Sequence, residues 1–224
     1  MKIGMIIAIQ RELESFLKLG GDISEETVAG RTVYRTRIGT HDISALQPGY
    51  GEIDAAAGTM LLILQYGCEV IINFGVVGAL EEDLKVQDLF LVEKVRHYDY
   101  DVSPIDPVEP HQYEEYPGPF IPMDQGLIRK VKEMMPEIRC VAAASGDRFV
   151  EEREEKIRLR QLGCAICDME SAAIARISER SGVRCLSVKC ISDTFDGDGG
   201  DFNRNVRASG EKAFRVIREV LEAL

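Results

Sequence analysis

The chain is expected to be an α/β protein, a single-domain three-layer sandwich with a central mixed β-sheet flanked by helices. Three features predict it. Apolar runs of strand length alternate with amphipathic stretches of helix length, the pattern of a layered α/β fold. Several runs, Val70 to Gly75 among them, are nearly all apolar, as in strands covered on both faces. The consecutive segments between Thr27 and Gln47, with Gly30 and His41-Asp42 near their turns, read as an antiparallel meander, so the sheet is mixed.

Taken in order, Lys2 to Ala8 reads as a strand and Gln10 to Leu19 as the helix it enters. Thr32 to Ile38 and Ile43 to Gln47 supply the meander, and Glu52 to Tyr66 a long helix. Val70 to Gly75 and Leu89 to Val95 are strands, Gln125 to Met135 a helix, and Arg139 to Ala144 a strand. Glu151 to Leu162 is a helix, Cys164 to Cys167 a short strand, and Glu170 to Ser181 a helix. Arg184 to Ile191 is the last strand and Arg204 to Leu224 the last helix. Apolar positions in the helices recur at three and four residues, as at Ile174 and Ile177.

Two stretches break the rhythm. From His97 to Pro122 the chain carries six prolines and four tyrosines without a period. An irregular insert of that length is usually functional or an interface element. The second is Asp196-Gly-Asp-Gly-Gly-Asp201, read as a solvated loop; Phe195 or Phe202 beside it would be an apolar cover for a ligand. A calcium loop does not fit there, because Asp201 and Arg207 stand where the sixth-position glycine and twelfth-position acid would be. Without a repeat or linker, residues 1–224 read as one domain.

A net charge of −11 argues against sequence-independent nucleic-acid binding and against docking on an anionic membrane. The apolar stretch from Ala55 to Leu64 is far short of the ~20 residues of a spanning helix. Arg11, Glu12 and Glu14 interrupt the N-terminal run before any cleavage site, so it reads as a strand and not a signal peptide. Cys164-Ala-Ile-Cys167 with Cys185 and Cys190 invites a zinc reading, but both pairs lie in apolar, strand-like segments. Buried free thiols fit better, and with them a cytoplasmic location.

The chemistry is expected from acids at strand exits. Cys167-Asp168-Met169-Glu170-Ser171 and Cys190-Ile191-Ser192-Asp193 each follow an apolar run, and Glu12 follows the first. Open α/β sheets bind ligands along that edge. Taken singly each acid has an ordinary explanation: a first-turn helix acid for Glu12 and Glu170, a turn residue for Asp193. Taken together they make a site for one small polar ligand.

The ordered motifs resemble the nucleoside phosphorylase/nucleosidase family, within it the bacterial 5′-methylthioadenosine/S-adenosylhomocysteine nucleosidase branch. They are Ala8-Ile9-Gln10-Arg11-Glu12, Gly49-Tyr50-Gly51, Ile72-Asn73-Phe74-Gly75-Val76-Val77-Gly78 and His97-Tyr98-Asp99-Tyr100-Asp101-Val102. Ser145-Gly146-Asp147-Arg148-Phe149, Asp168-Met169-Glu170 and Ile191-Ser192-Asp193 follow. The resemblance implies a nucleoside phosphorylase-like fold and hydrolysis of the N-glycosidic bond of 5′-thio-substituted adenosines, releasing adenine. It implies that Asp193 protonates the base with Ser192 orienting it, that Glu12 activates water, and that Glu170 accepts from the ribose hydroxyls. Met169 would pack on the sugar, Phe149 stack on adenine, the backbone at Val150 read its edge, and Ala8, Tyr50, Val76, Val77 and Gly78 line the pocket. Such chemistry needs an acid for the leaving base and a base for water, and no cofactor or metal.

The sequence departs from the resemblance at three positions. Val76 replaces a hydroxyl residue, and Tyr50 and Glu52 replace an aliphatic residue and a lysine. Arg11, Arg31, Arg35 and Arg148 are unassigned candidates for holding phosphate. The alternatives are a futalosine-type hydrolase, a purine nucleoside phosphorylase and a nucleoside-binding protein without turnover. A homodimer is expected, with His97 to Pro122 near the interface and Tyr113 and Tyr116 supplying contact area.

Overall fold

The apolar N-terminal run forms β1 (Lys2–Ile6), which lies inside the sheet with parallel partners on both sides, β4 (His41–Leu46) and β5 (Val70–Ala79). The structure, a computed structural model, describes residues 1–223. Beyond β4 the meander continues antiparallel through β3 (Arg31–Ile38) to an edge strand, β2 (Ser24–Val28). The sequence pattern predicts no strand before Thr32: Ser24-Glu25-Glu26-Thr27 is exposed at every position and carries no apolar signal. What fixes it is the turn. Ala29 and Gly30 have φ of 51° and 74°, the two-residue hairpin geometry whose twist matches paired strands.

On the other side of β5 the sheet curls shut. β10 (Arg184–Asp193) runs parallel to β5 and antiparallel to β6 (Leu89–His97). β6 pairs parallel with β8 (Arg139–Ser145), β8 with β9 (Ile166–Asp168), and β9 returns antiparallel to β5. A short β7 (Ile121–Pro122) pairs with β6.

Helices pack in two pairs on this sheet. α1 (Gln10–Leu19) lies against α6 (Gly199–Ala223), and α2 (Glu52–Tyr66) against α5 (Ser171–Arg180). Phe214 of α6 meets Phe16 of α1 edge-on at 5.5 Å and Phe74 of β5 at 5.0 Å, locking helix to sheet. α3 (Gln125–Met134) and α4 (Arg153–Gln161) precede β8 and β9.

Several ends differ from the sequence reading. β1 stops at Ile6, short of Ala8, and β9 covers Ile166–Asp168, not Cys164 to Cys167. β5 runs past Gly75 to Ala79, because its glycines stay extended between β10 and β9. α6 begins at Gly199, within the stretch read as a loop, where Asp198 Oδ1 accepts from Asp201 N–H at 3.0 Å. Its expected end, Leu224, lies outside the described residues. The insert after β6 is built of turns, as expected, but folds back on α5. Tyr100 stacks on Tyr113 at 3.9 Å, and Arg176 lies over Tyr113 at 3.5 Å while pairing with Glu115 at 2.6 Å. Tyr116 is buried and donates to Glu179 at 3.0 Å, so of the two tyrosines expected at an interface this one faces inward. Every cysteine among the described residues is a free thiol.

Candidate active site

Strand register brings the acids together. Gly78 of β5 pairs with Cys167 of β9 on one side and Asp193 of β10 on the other. The β5–β10 register slips between Ile191 and Asp193, so Ser192 is an extra residue, a bulge that re-aims Asp193. Glu12, in the first turn of α1, reaches the same place from the exit of β1.

The resulting open cleft is lined by Ala8, Glu12, Tyr50, Val76, Val77, Gly78, Phe149, Val150, Met169, Glu170, Ser192 and Asp193. These are the residues expected from the sequence. Ile9, Arg148, Cys167, Asp168 and Phe202 complete the wall. Apolar walls with a few convergent acids are the lining of a small-molecule site. Phe149 and Tyr50 are partly exposed at its rim, and Phe149 meets Phe202 edge-on at 5.6 Å. Phe195, the other expected cover, is buried beneath Arg153 and Arg160 and takes no part.

Glu12 is held by backbone alone. Val76 N–H donates to its Oε1 at 2.8 Å and Ile9 N–H to its Oε2 at 3.3 Å. Val76 therefore contributes its amide; its side chain offers no hydrogen bond. A Cβ on Gly75 would lie 2.5 Å from Glu12 Oε1, so only glycine leaves room for this carboxylate. Burial pushes the Glu12 carboxyl up to about 7, against the lowering influence of Lys189 and the two amides.

Asp193 is nearly inaccessible, and burial raises its carboxyl above the usual range despite the lowering effects of Ser192 and Lys156. Ser192 Oγ lies 2.8 Å from Asp193 Oδ1, and a Cβ on Gly78 would stand 2.8 Å from Oδ2. The two glycines of Gly75-Val76-Val77-Gly78 thus clear space for one acid each. Lys156, fully buried on α4, donates to the carbonyls of Thr194, Phe195 and Gly197, each at 3.0 Å, and so fastens the chain that follows Asp193.

Glu170 Oε1 accepts from Gly51 N–H at 3.0 Å. Burial, reinforced by Asp168, pushes it up to about 7. Asp168 itself is ion-paired with Lys189 at 2.8 Å, both side chains 2% exposed. Burial would raise the Asp168 carboxyl, but the Lys189 ammonium and hydrogen bonds from Lys189, Ser171 and Ser145 hold it below its ordinary value. Lys189 is the one charge between Cys185 and Ile191 of β10, a signal in the sequence that no motif singles out. Among the unassigned arginines only Arg148 lines the cleft. Arg11 donates to Asn203 at 2.7 Å, Arg31 pairs with Asp54 at 2.7 Å, and Arg35 lies 3.7 Å from Glu26. Among the described residues no group of three or more His, Cys, Asp or Glu side chains is arranged to hold a metal ion.

The site can therefore deliver a proton from one buried acid, accept one at another, and hold hydroxyl groups at a third. Comparison with known proteins agrees with that chemistry. A family model described as "Phosphorylase superfamily" matches residues 2–222. A 5′-methylthioadenosine/S-adenosylhomocysteine nucleosidase of Haemophilus ducreyi is 36% identical over 227 residues, covering 99% of this chain and 97% of that protein. A 5′-methylthioadenosine/S-adenosylhomocysteine nucleosidase of Helicobacter pylori, solved with a pyrrolidinol ligand, superposes with a TM-score of 0.92 at 25% identity, covering 100% of this chain and 98% of that one. The futalosine hydrolase of Helicobacter pylori superposes with a TM-score of 0.92, also at 25% identity, over 100% and 98% of the two chains.

Proposed function

We infer that this chain, which belongs to the phosphorylase superfamily, is a nucleosidase that hydrolyses the N-glycosidic bond of 5′-thio-substituted adenosines and releases adenine. The observation that carries the reaction class is the placing of Glu12 and Asp193 in one cleft, each carboxyl seated against a glycine that makes room for it. The substrate class rests on full-length similarity to 5′-methylthioadenosine/S-adenosylhomocysteine nucleosidases.

In this reading Asp193 carries the proton that burial favours and passes it to N7 of adenine as the bond from N9 to the sugar carbon breaks. The bonding electrons leave with the base, and the ribosyl group develops oxocarbenium character. Glu170, accepting from the ribose hydroxyls, favours that positive charge. Water attacks the sugar carbon from the opposite face while Glu12 takes its proton. Val76 presents an apolar side chain where a hydroxyl would help hold phosphate or water, and a single arginine lines the cleft, which supports water over phosphate as nucleophile.

Incubation with methylthioadenosine, S-adenosylhomocysteine, futalosine and inosine, with and without phosphate, tests this directly. Free adenine from the first two, at rates indifferent to phosphate, is expected. Strict dependence on phosphate, or base release from futalosine alone, would replace the reading with one of its relatives. The futalosine reading is favoured only by the similarity to futalosine hydrolase and differs on the 5′ side of the ligand.

The working form is proposed to be a cytoplasmic homodimer. The 97–122 segment is proposed to lie at the interface, where Ile105 of that segment and Ile53 of α2, each 82% exposed, are available as apolar contact area. Light scattering at micromolar concentration should give twice the chain mass; a fully active monomer would contradict it.

A further inference from the structure

Between the starts of α2 and α5, a count of hydrogen bonds locates a proton. Ser145 Oγ lies 2.6 Å from Glu52 Oε1 and 2.7 Å from Asp168 Oδ1, and it accepts from Ala172 N–H at 3.1 Å. A hydroxyl has one proton to give, so it can serve only one of the two carboxyls. The other must supply its own proton, or a buried pair of lone-pair-bearing oxygens would face each other unsatisfied. Asp168 is the ionised partner. Its Oδ2 takes Lys189 Nζ at 2.8 Å and the Ser171 hydroxyl, and its Oδ1 takes Ser171 N–H at 3.2 Å. Glu52 Oε2 accepts from Ala173 N–H at 2.6 Å, which leaves Oε1 to carry a proton and donate it to Ser145. Burial acts in the same direction, pushing the Glu52 carboxyl well above its ordinary range.

We propose that Glu52 is a positioning residue that works with a proton on Oε1, fastening the start of α2 to the start of α5 so that Gly51 N–H holds Glu170 ready for the ribose. The role given to Glu170 rests on the nucleosidase reading; the position of the proton does not. The clamp is reciprocal. The Glu52 side chain reaches Ala173 on α5, while the amide beside it, Gly51 N–H, reaches the Glu170 carboxylate at 3.0 Å. The charged and titratable groups facing Glu52 are Asp168 from β9, Glu170 at the head of α5, Asp147 after β8, and Tyr113 of the insert. The buried cation beside Asp168, Lys189 of β10, is already paired with it. Ionising Glu52 would put a second negative charge against Asp168 with no cation to match it, and the clamp would open.

Three variants and one spectrum test this. Glu52→Ala should raise KM about tenfold, the cost of one buried hydrogen bond, with a smaller effect on kcat. Glu52→Gln should restore KM, because its amide N–H donates to Ser145 and its carbonyl accepts from Ala173, as the protonated acid does. A Glu52→Gln variant as impaired as Glu52→Ala would show that a donor at this position does not maintain the clamp, and the proposal would fail. Infrared difference spectra of wild type minus Glu52→Gln at pH 7, recorded without substrate, give an answer that does not depend on activity. Loss of a protonated-carboxyl C=O band is expected; loss of an ionised-carboxylate band would overturn the assignment. Should Glu52→Gln not fold, Ser145→Ala takes its place: the protonated band should shift when its acceptor hydroxyl is gone, and an unshifted band would be equally fatal.

Discussion

Asp193→Asn is expected to yield a folded protein that still binds its nucleoside but turns it over ~100- to 10,000-fold more slowly, the span that general acid catalysis contributes. The geometry explains why binding and chemistry should separate. Ser192 Oγ, 2.8 Å from Oδ1, donates to that oxygen, which leaves Oδ2 to carry the transferable proton. An asparagine placed the same way keeps its carbonyl on Ser192 and presents its amide N–H₂ where the acid O–H had been. It can hydrogen-bond the base but cannot give the proton up. The backbone around it is fixed independently, by Asn205 donating to the Ser192 carbonyl at 2.9 Å and Ser209 to the Ile191 carbonyl at 2.8 Å. Thermal melting, ligand titration and adenine release, measured together, check the separation. Residual activity within tenfold of wild type in a folded variant would remove Asp193 from the acid's role.

The acids of the cleft were legible in the sequence because each follows an apolar run at a strand exit. The other lining residues, Ala8, Tyr50, Phe149 and Met169 among them, were implied by the resemblance of the ordered motifs to a known family. α1 was legible to the residue from its amphipathic period, and α2 from an apolar run of helix length bounded by Gly51 and Gly67. β2 was not, because an edge strand exposed on both faces needs no apolar residue, and only the turn at Ala29-Gly30 pairs it. The ring closure through β9 was also hidden, since a three-residue strand has too little sequence to announce its partners. The buried support of the site was the least visible part. Glu52 read as a departure from a motif and Lys189 as nothing at all, yet Glu52 meets the Ser145 hydroxyl and Lys189 the Asp168 carboxylate, each brought from a distant segment. Pairings of that kind are properties of the tertiary contact, and a residue's type gives its charge but not its counter-charge.

Glu12→Gln should cripple hydrolysis on a similar scale while leaving ligand affinity largely intact, because the proposed partner of Glu12 is water and not the nucleoside. The substitution is tolerable to the fold for a physical reason. Both Glu12 oxygens accept from backbone, Val76 N–H at 2.8 Å and Ile9 N–H at 3.3 Å, and glutamine keeps one of these bonds. Against the lost bond stands the relief of removing a buried carboxylate, which burial already disfavours enough to push its pKa up to about 7. That value also sets a pH dependence. The base works ionised, so kcat/KM of the wild type should fall as pH drops through about 7. Glu170, also pushed up to about 7 and also required as a carboxylate, loses its charge in the same window. Two protonations in one range give a limb steeper than a single ionisation allows. In Glu12→Gln only Glu170 remains to titrate there, and the residual activity should decline with the slope of one proton. A pH–rate profile of the two proteins settles the assignment. An unchanged two-proton limb in the variant, or a loss of affinity that accounts for the whole loss of rate, would show that Glu12 is not the base.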